Sequence, residues 1–92
     1  MMETSEKITM VCSELEKFLL NKNKNYGDSV FNPVSVFSNL PQSGALMVRI
    51  DDKLSRIKNS NVLRKNDVVD LLGYLVLLSI KENWLKFDDM VD

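Results

Sequence analysis

The stretch Asp67-Val68-Val69-Asp70-Leu71-Leu72-Gly73-Tyr74-Leu75-Val76-Leu77-Leu78-Ser79-Ile80 decides the fold. Placed on a helix of 3.6 residues per turn, its aliphatic side chains point nearly all round, the pattern of a helix buried on most sides. The exceptions, Asp67, Asp70, Tyr74 and Lys81, fall within about 60° of one another on that wheel. The sequence therefore predicts an apolar helix from Lys65 to Asn83 with one narrow polar stripe, acidic at its start. A chain of 92 residues struggles to surround such a helix alone. Its apolar surface implies a subunit interface, and the chain is expected to form a homo-oligomer.

Two further helices follow from the flanking sequence. Upstream, a helix is predicted from Ser43 to Asn59, ended by Asn59-Ser60-Asn61. With Leu46 at zero, Ile50, Leu54 and Ile57 fall within about 80° of it and form the core stripe. Arg49, Lys53 and Arg56 run along one flank of that stripe, with Asp52 just beyond them and Asp51 on the other flank. Near the start of the chain, Ile8, Val11, Cys12, Leu15, Phe18 and Leu19 recur at three- and four-residue steps. They mark an amphipathic helix from Thr4 to Asn21, with Thr4 or Ser5 as N-cap and Cys12 as a small buried hydrophobe. The connection from Asn21 to Ser43 opens with turn chemistry at Asn21-Lys22-Asn23-Lys24-Asn25-Tyr26-Gly27-Asp28. Asn32-Pro33 then starts a short helix carrying Val34, Phe37 and Leu40, closed by Pro41. The C-terminal stretch with Trp84, Leu85, Phe87 and Met90 is too apolar for a free tail. It is expected to pack as a last turn or dock on a neighbouring subunit. The whole is one all-α domain over residues 1–92.

Composition narrows the function. The chain is 45% hydrophobic and 27% charged, the balance of a globular protein. Its net charge of −1 does not suit a duplex nucleic-acid binder. The absence of His excludes His-based acid–base chemistry and His-ligated zinc, and a single Cys excludes an internal disulfide. With 3 Gly and 2 Pro there is little material for a many-turned β-sandwich. No apolar run reaches the ~18 residues of a membrane span. Met1-Met2-Glu3-Thr4-Ser5-Glu6 lacks the basic flank and apolar core of a signal peptide, so a reduced, cytoplasmic setting is expected.

Two clusters carry chemistry. Asp67 and Asp70 are three residues apart and share a helix face, so both carboxylates reach one cation. Oxygen ligands of this kind suit Mg²⁺ with phosphate oxygens, while acids in a first helical turn are also favoured by the macrodipole without any ligand. Arg49, Lys53 and Arg56 suit phosphate, Arg through a bidentate fork and Lys as a point charge. The same cations are equally able to pair with Asp67 and Asp70 across the helix pair. Tyr26, Phe31 and Phe37 offer rings that stack on a base, or that anchor the loop.

Asp67 to Leu75 resembles the third-helix motif of MazG-like, all-α nucleoside triphosphate pyrophosphatases. The blocks Lys24 to Asp28, Arg49 to Ile57 and Asp67 to Tyr74 together resemble the small phage domain family called nucleotide-modification-associated. The resemblance implies an all-α MazG-like bundle, phage or bacterial origin and work on nucleotides. The pyrophosphatases carry a glutamate-rich ligand set on their second helix. Here Asp51 and Asp52 stand on opposite flanks of that helix, with Arg49, Lys53 and Arg56 in its sequence.

The leading expectation is thus a small phage-type nucleotide-binding protein that captures a nucleotide or cyclic nucleotide, such as a host immune signal, without cutting it. Lys24, Tyr26, Arg49, Lys53, Arg56 and Tyr74 are the candidate ligand-binding residues. An alternative is a Mg²⁺-dependent pyrophosphatase, or an accessory to nucleotide modification, in which Asp52, Asp67 and Asp70 hold the metal. A second alternative is a helical adaptor that grips a protein through its apolar helix and Trp84.

Overall fold

The computed structural model describes residues 1–26 and 42–90, and it is all-helical there. Three helices follow in order: α1 over Thr4–Tyr26, α2 over Gln42–Asn59 and α3 over Lys65–Lys81. The short helix expected at Asn32 to Leu40, the rings of Phe31 and Phe37, and the side chain of Tyr26 lie outside the described residues. None of the described helices is long and apolar enough to cross a membrane.

Each helix end has a local cause. The N–H of Lys7 donates to the carbonyl of Glu3 at 3.0 Å, and the N–H of Glu3 donates to Oε1 of Glu6 at 3.4 Å. Glu3, rather than Thr4 or Ser5, thus stands at the cap, and Glu6 supplies the reaching-back half of a capping box. At its other end α1 runs through Asn21 to Tyr26, past the expected stop. The Asn-Lys repeat holds no Gly before Gly27, Lys24 sits in the last turn where the macrodipole favours a cation, and the ammonium of Lys22 lies 4.9 Å from the ring centroid of Phe18. The helix α3 ends at Lys81, two residues early, because Asn83 turns left-handed at φ 60°. The N–H of Asn83 donates to Ile80 and that of Trp84 to Ser79 (3.0 and 2.8 Å), the paired bonds of a Schellman cap with Asn in the place usual for Gly.

Residues 60–64 connect α2 to α3, which form a helical hairpin, and among the described helices α1 touches α3 and not α2. Among the described residues, Leu46 of α2 is the one fully buried hydrophobic side chain. Ile50 and Ile57 are half-buried, as expected of the stripe. Leu54, expected beside them, is exposed, and Lys53, expected on the flank, is buried. The wheel explains the exchange: Lys53 lies about 20° from Leu46 and Leu54 about 80° away. The packed face is therefore centred nearer Lys53 than the aliphatic residues alone suggested.

The apolar helix has an unexpected core. Its two buried residues are Asp67 and Gly73, while Leu72, Leu75 and Ile80 are exposed on a single copy. Gly73 is where α1 arrives: a Cβ there would meet Cδ2 of Leu19 at 3.0 Å. Leu15 and Leu19 are half-buried, but Ile8, Val11 and Cys12 are exposed. Cys12 is thus not the buried hydrophobe its face suggested, because α1 meets α3 through its C-terminal half. Trp84, Leu85, Phe87 and Met90 are exposed too; the stretch adds no helix but does close a turn, in which the N–H of Met90 donates to the carbonyl of Phe87 at 3.0 Å.

The Gly73 contact yields a graded prediction. Gly73→Ala gains about 1 kcal/mol of helix propensity and asks Leu19 to turn, which costs roughly as much. It should stay within about 1 kcal/mol of wild type in chemical denaturation. Gly73→Phe has no such relief and should lift α1 from α3, seen as loss of amide protection across residues 4–26. Unchanged protection in Gly73→Phe would show that this contact does not hold α1.

Candidate functional site

The site begins with a lysine inside the helix pair. Lys53 projects from the packed face of α2, and its ammonium lies 3.0 Å from Oδ2 of Asp70 and 3.5 Å from Oδ1 of Asp67. The side chains of Lys53 and Asp67 are 11% and 5% exposed, and that of Asp70 is 27% exposed. The spacing of three residues puts both carboxylates on the face of α3 that looks at α2. Asp67 also sits in the first turn of α3, where the macrodipole favours its charge. A charge in such surroundings is tolerated only when paired, and each member of this cluster is.

The electrostatics fix the state of Lys53. Its pKa lies above the ordinary value of 10.5, chiefly through its hydrogen bond to Asp70. Burial opposes that rise, the charge of Asp70 adds to it, the nearby Arg56 cation opposes it, and Asp67 contributes through its own hydrogen bond. Lys53 is therefore a cation at neutral pH, and its charge is already committed to α3.

Beside this cluster, where α2 ends and α3 begins, lies a cleft of about 340 Å³ lined by Arg56, Asn59, Ser60, Arg64, Asn66 and Asp67. Its shape comes from the turn. The hydroxyl of Ser60 donates to the carbonyl of Val62, which curls the chain after α2. Arg64 then takes an extended backbone (φ −100°, ψ 132°) as the N-cap of α3 but gives that helix no side-chain cap. One wall is thus a helix start whose N-cap residue supplies no side-chain cap, and two arginines, Arg56 and Arg64, are among the lining residues. Arg56 is held by Asp52, one helical turn before it, with Nε to Oδ2 at 3.3 Å, and both side chains are more than half exposed. Arg64 makes no ion pair among the described residues.

The structure gathers some of the expected residues and separates others. Lys53, Arg56, Asp52, Asp67 and Asp70 share one end of the α2–α3 pair. Arg49 is exposed on α2, Lys24 is exposed near the end of α1, and Tyr74 is half-buried on α3; none of the three lines the cleft. Asp52 faces Arg56, whereas Asp67 and Asp70 face Lys53. Among the described residues, no three acidic or Cys side chains come together as a set able to hold a metal ion. Arg64, Asn59, Ser60 and Asn66 went unnoticed in the sequence, where residues 59–61 read only as a helix breaker. The available signal was the pair of arginines, Arg56 and Arg64, bracketing that polar break. In comparisons with protein-family models, curated proteins and solved structures, nothing matches this chain.

Lys53 gives a prediction with a defined pH window. Lys53→Met leaves two neighbouring carboxylates uncompensated, one of them buried, and should destabilise the fold by about 3 kcal/mol or more. Adding Asp67→Asn and Asp70→Asn to Lys53→Met should recover most of that loss. Because the native pKa of Lys53 is raised, its contribution is fully present below the unfolded value of about 10.4 and fades as pH rises through the native value. Denaturant midpoints between neutral and strongly alkaline pH should therefore fall more steeply in wild type than in the triple variant. Parallel slopes would contradict the account.

Proposed function

We propose that this chain is a small nucleotide-binding protein that captures its ligand intact. The observation that carries the reading is the cleft at the α2–α3 turn, lined by Arg56 and Arg64 together with Asn59, Ser60 and Asn66. Guanidinium groups suit phosphate oxygens, and amide and hydroxyl side chains suit a sugar or base edge. The volume falls within the range typical of small-ligand sites. Capture is favoured over hydrolysis by the position of Lys53. A Mg²⁺ ion held by Asp67 and Asp70 would have to displace an ammonium 3.5 and 3.0 Å from them, respectively.

The resemblance to phage nucleotide-modification-associated domains, and more distantly to MazG-like pyrophosphatases, supports the nucleotide as ligand class. In a phage setting a cytoplasmic host nucleotide signal, cyclic or linear, is the natural target of such a sponge. The exposed Leu72, Leu75, Ile80, Val11 and Trp84 support an assembly of more than one copy, because a second copy would cover apolar surface that the described helices leave open. The same exposed side chains support the adaptor as a second reading.

One set of experiments separates these. Nucleotides carried through purification are identified by mass spectrometry, and binding is measured by calorimetry with Mg²⁺ and with chelator beside a phosphate-release assay. The proposal predicts an intact nucleotide, binding that survives chelation, and no release. Arg64→Ala should weaken that binding on the order of tenfold, the scale of one charge-assisted contact, with an unchanged circular dichroism spectrum. Asp70→Asn should alter it modestly. Release that requires Mg²⁺ and vanishes in Asp70→Asn would establish the pyrophosphatase instead, and a tightly held protein with no nucleotide would establish the adaptor.

A further inference from the structure

Arg56 is the cleft's cation with two claims on it. It lines the cavity, yet Nε of its guanidinium is engaged by Oδ2 of Asp52 at 3.3 Å. That pair is exposed on both sides and spaced i, i+4 along one helix, so it is a weak bond that opens readily. The neighbouring buried cation, Lys53, has no such freedom, since two carboxylates hold it. Arg56 therefore lines the open cavity while an exposed carboxylate holds it from one helical turn away.

We propose that Asp52 is an internal competitor for the ligand's phosphate. In the free protein Asp52 holds Arg56, and an incoming phosphate group takes over the guanidinium fork and releases Asp52 to water. Arg64, which has no ion pair among the described residues, makes the first contact, and Arg56 closes the second side. The ligand class is a phosphate oxyanion able to engage two guanidinium groups at once, whether on a nucleotide or as free inorganic pyrophosphate. This rests on the nucleotide-binding reading of the same cleft, and it reverses the role of Asp52. A metal-ligating Asp52 helps the ligand, whereas a competing Asp52 hinders it.

The test is a calorimetric titration of the intact chain with ATP and, separately, with inorganic pyrophosphate, both in chelator and again with Mg²⁺. The proteins are wild type, Asp52→Asn, Asp51→Asn, Arg56→Ala and the double variant Asp52→Asn with Arg56→Ala. Asp52→Asn should bind about two- to fivefold more tightly than wild type, the scale of a lost exposed ion pair plus a removed like charge. Asp51→Asn makes the same change of net charge on the opposite flank of α2 and should gain less. In the Arg56→Ala background, removal of Asp52 should no longer give the full gain. Binding by wild type with no tightening in Asp52→Asn overturns the competitor and leaves the site standing. Weaker, Mg²⁺-dependent binding by Asp52→Asn overturns it in favour of a metal ligand. If neither probe binds any of the five proteins, the nucleotide-binding reading falls and the competitor with it. Pyrophosphate binding as well as ATP would assign the recognition to phosphate alone, and ATP alone would assign part of it to the nucleoside.

Discussion

The pairing of Lys53 with Asp67 and Asp70 is the constraint on which the rest of the described structure depends. A lysine at the centre of a packed helix face is costly unless its charge is answered from the facing helix. Two acids three residues apart answer it, and in doing so they set which face of α3 meets α2. Fixing that face brings the end of α2 and the start of α3 together around the turn, and the cleft with Arg56 and Arg64 is the result. It also leaves the aliphatic residues Leu72 and Leu75 exposed, so the ion cluster, more than the aliphatic side chains, orients the hairpin.

This division of labour accounts for what the sequence made legible. The three helices were readable because their apolar periods and their boundaries, above all the break at residues 59–61, are local signals. The charge cluster was readable in outline, since Asp67 and Asp70 form the one polar interruption in an aliphatic helix, and their pairing with a cation of α2 was one of two open alternatives. Which cation is used was legible only in part. Lys53 lies about 20° from Leu46 on the wheel, nearer than Arg49 or Arg56, but grouping the three as one flank hid this, and its pairing with both acids depends on the register between two helices, a tertiary property. Cys12 failed for a tertiary reason: an apolar residue on the right stripe is buried only where another element reaches it, and α1 is covered around Leu15 and Leu19, where it meets Gly73, but not around Cys12.

Arg64 was missed for a different reason. It lies between two helices, where periodicity has nothing to say, and it becomes relevant only once the turn carries it beside Arg56. The site is thus built from one residue on a helix face and one in a connection, with a buried ion cluster beneath. Sequence reasoning reached the first and the last of these and passed over the one between.

The three arginines of the chain allow the central claim to be tested at single-residue level, because each contributes its own Nε–H signal in a ¹⁵N correlation spectrum. Titration with the nucleotide that binds most tightly, in the presence of chelator, should shift the signals of Arg56 and Arg64 together along one saturation curve and leave Arg49 in place. Saturable shifts confined to Arg49, with Arg56 and Arg64 unmoved, would place the ligand elsewhere and contradict the account.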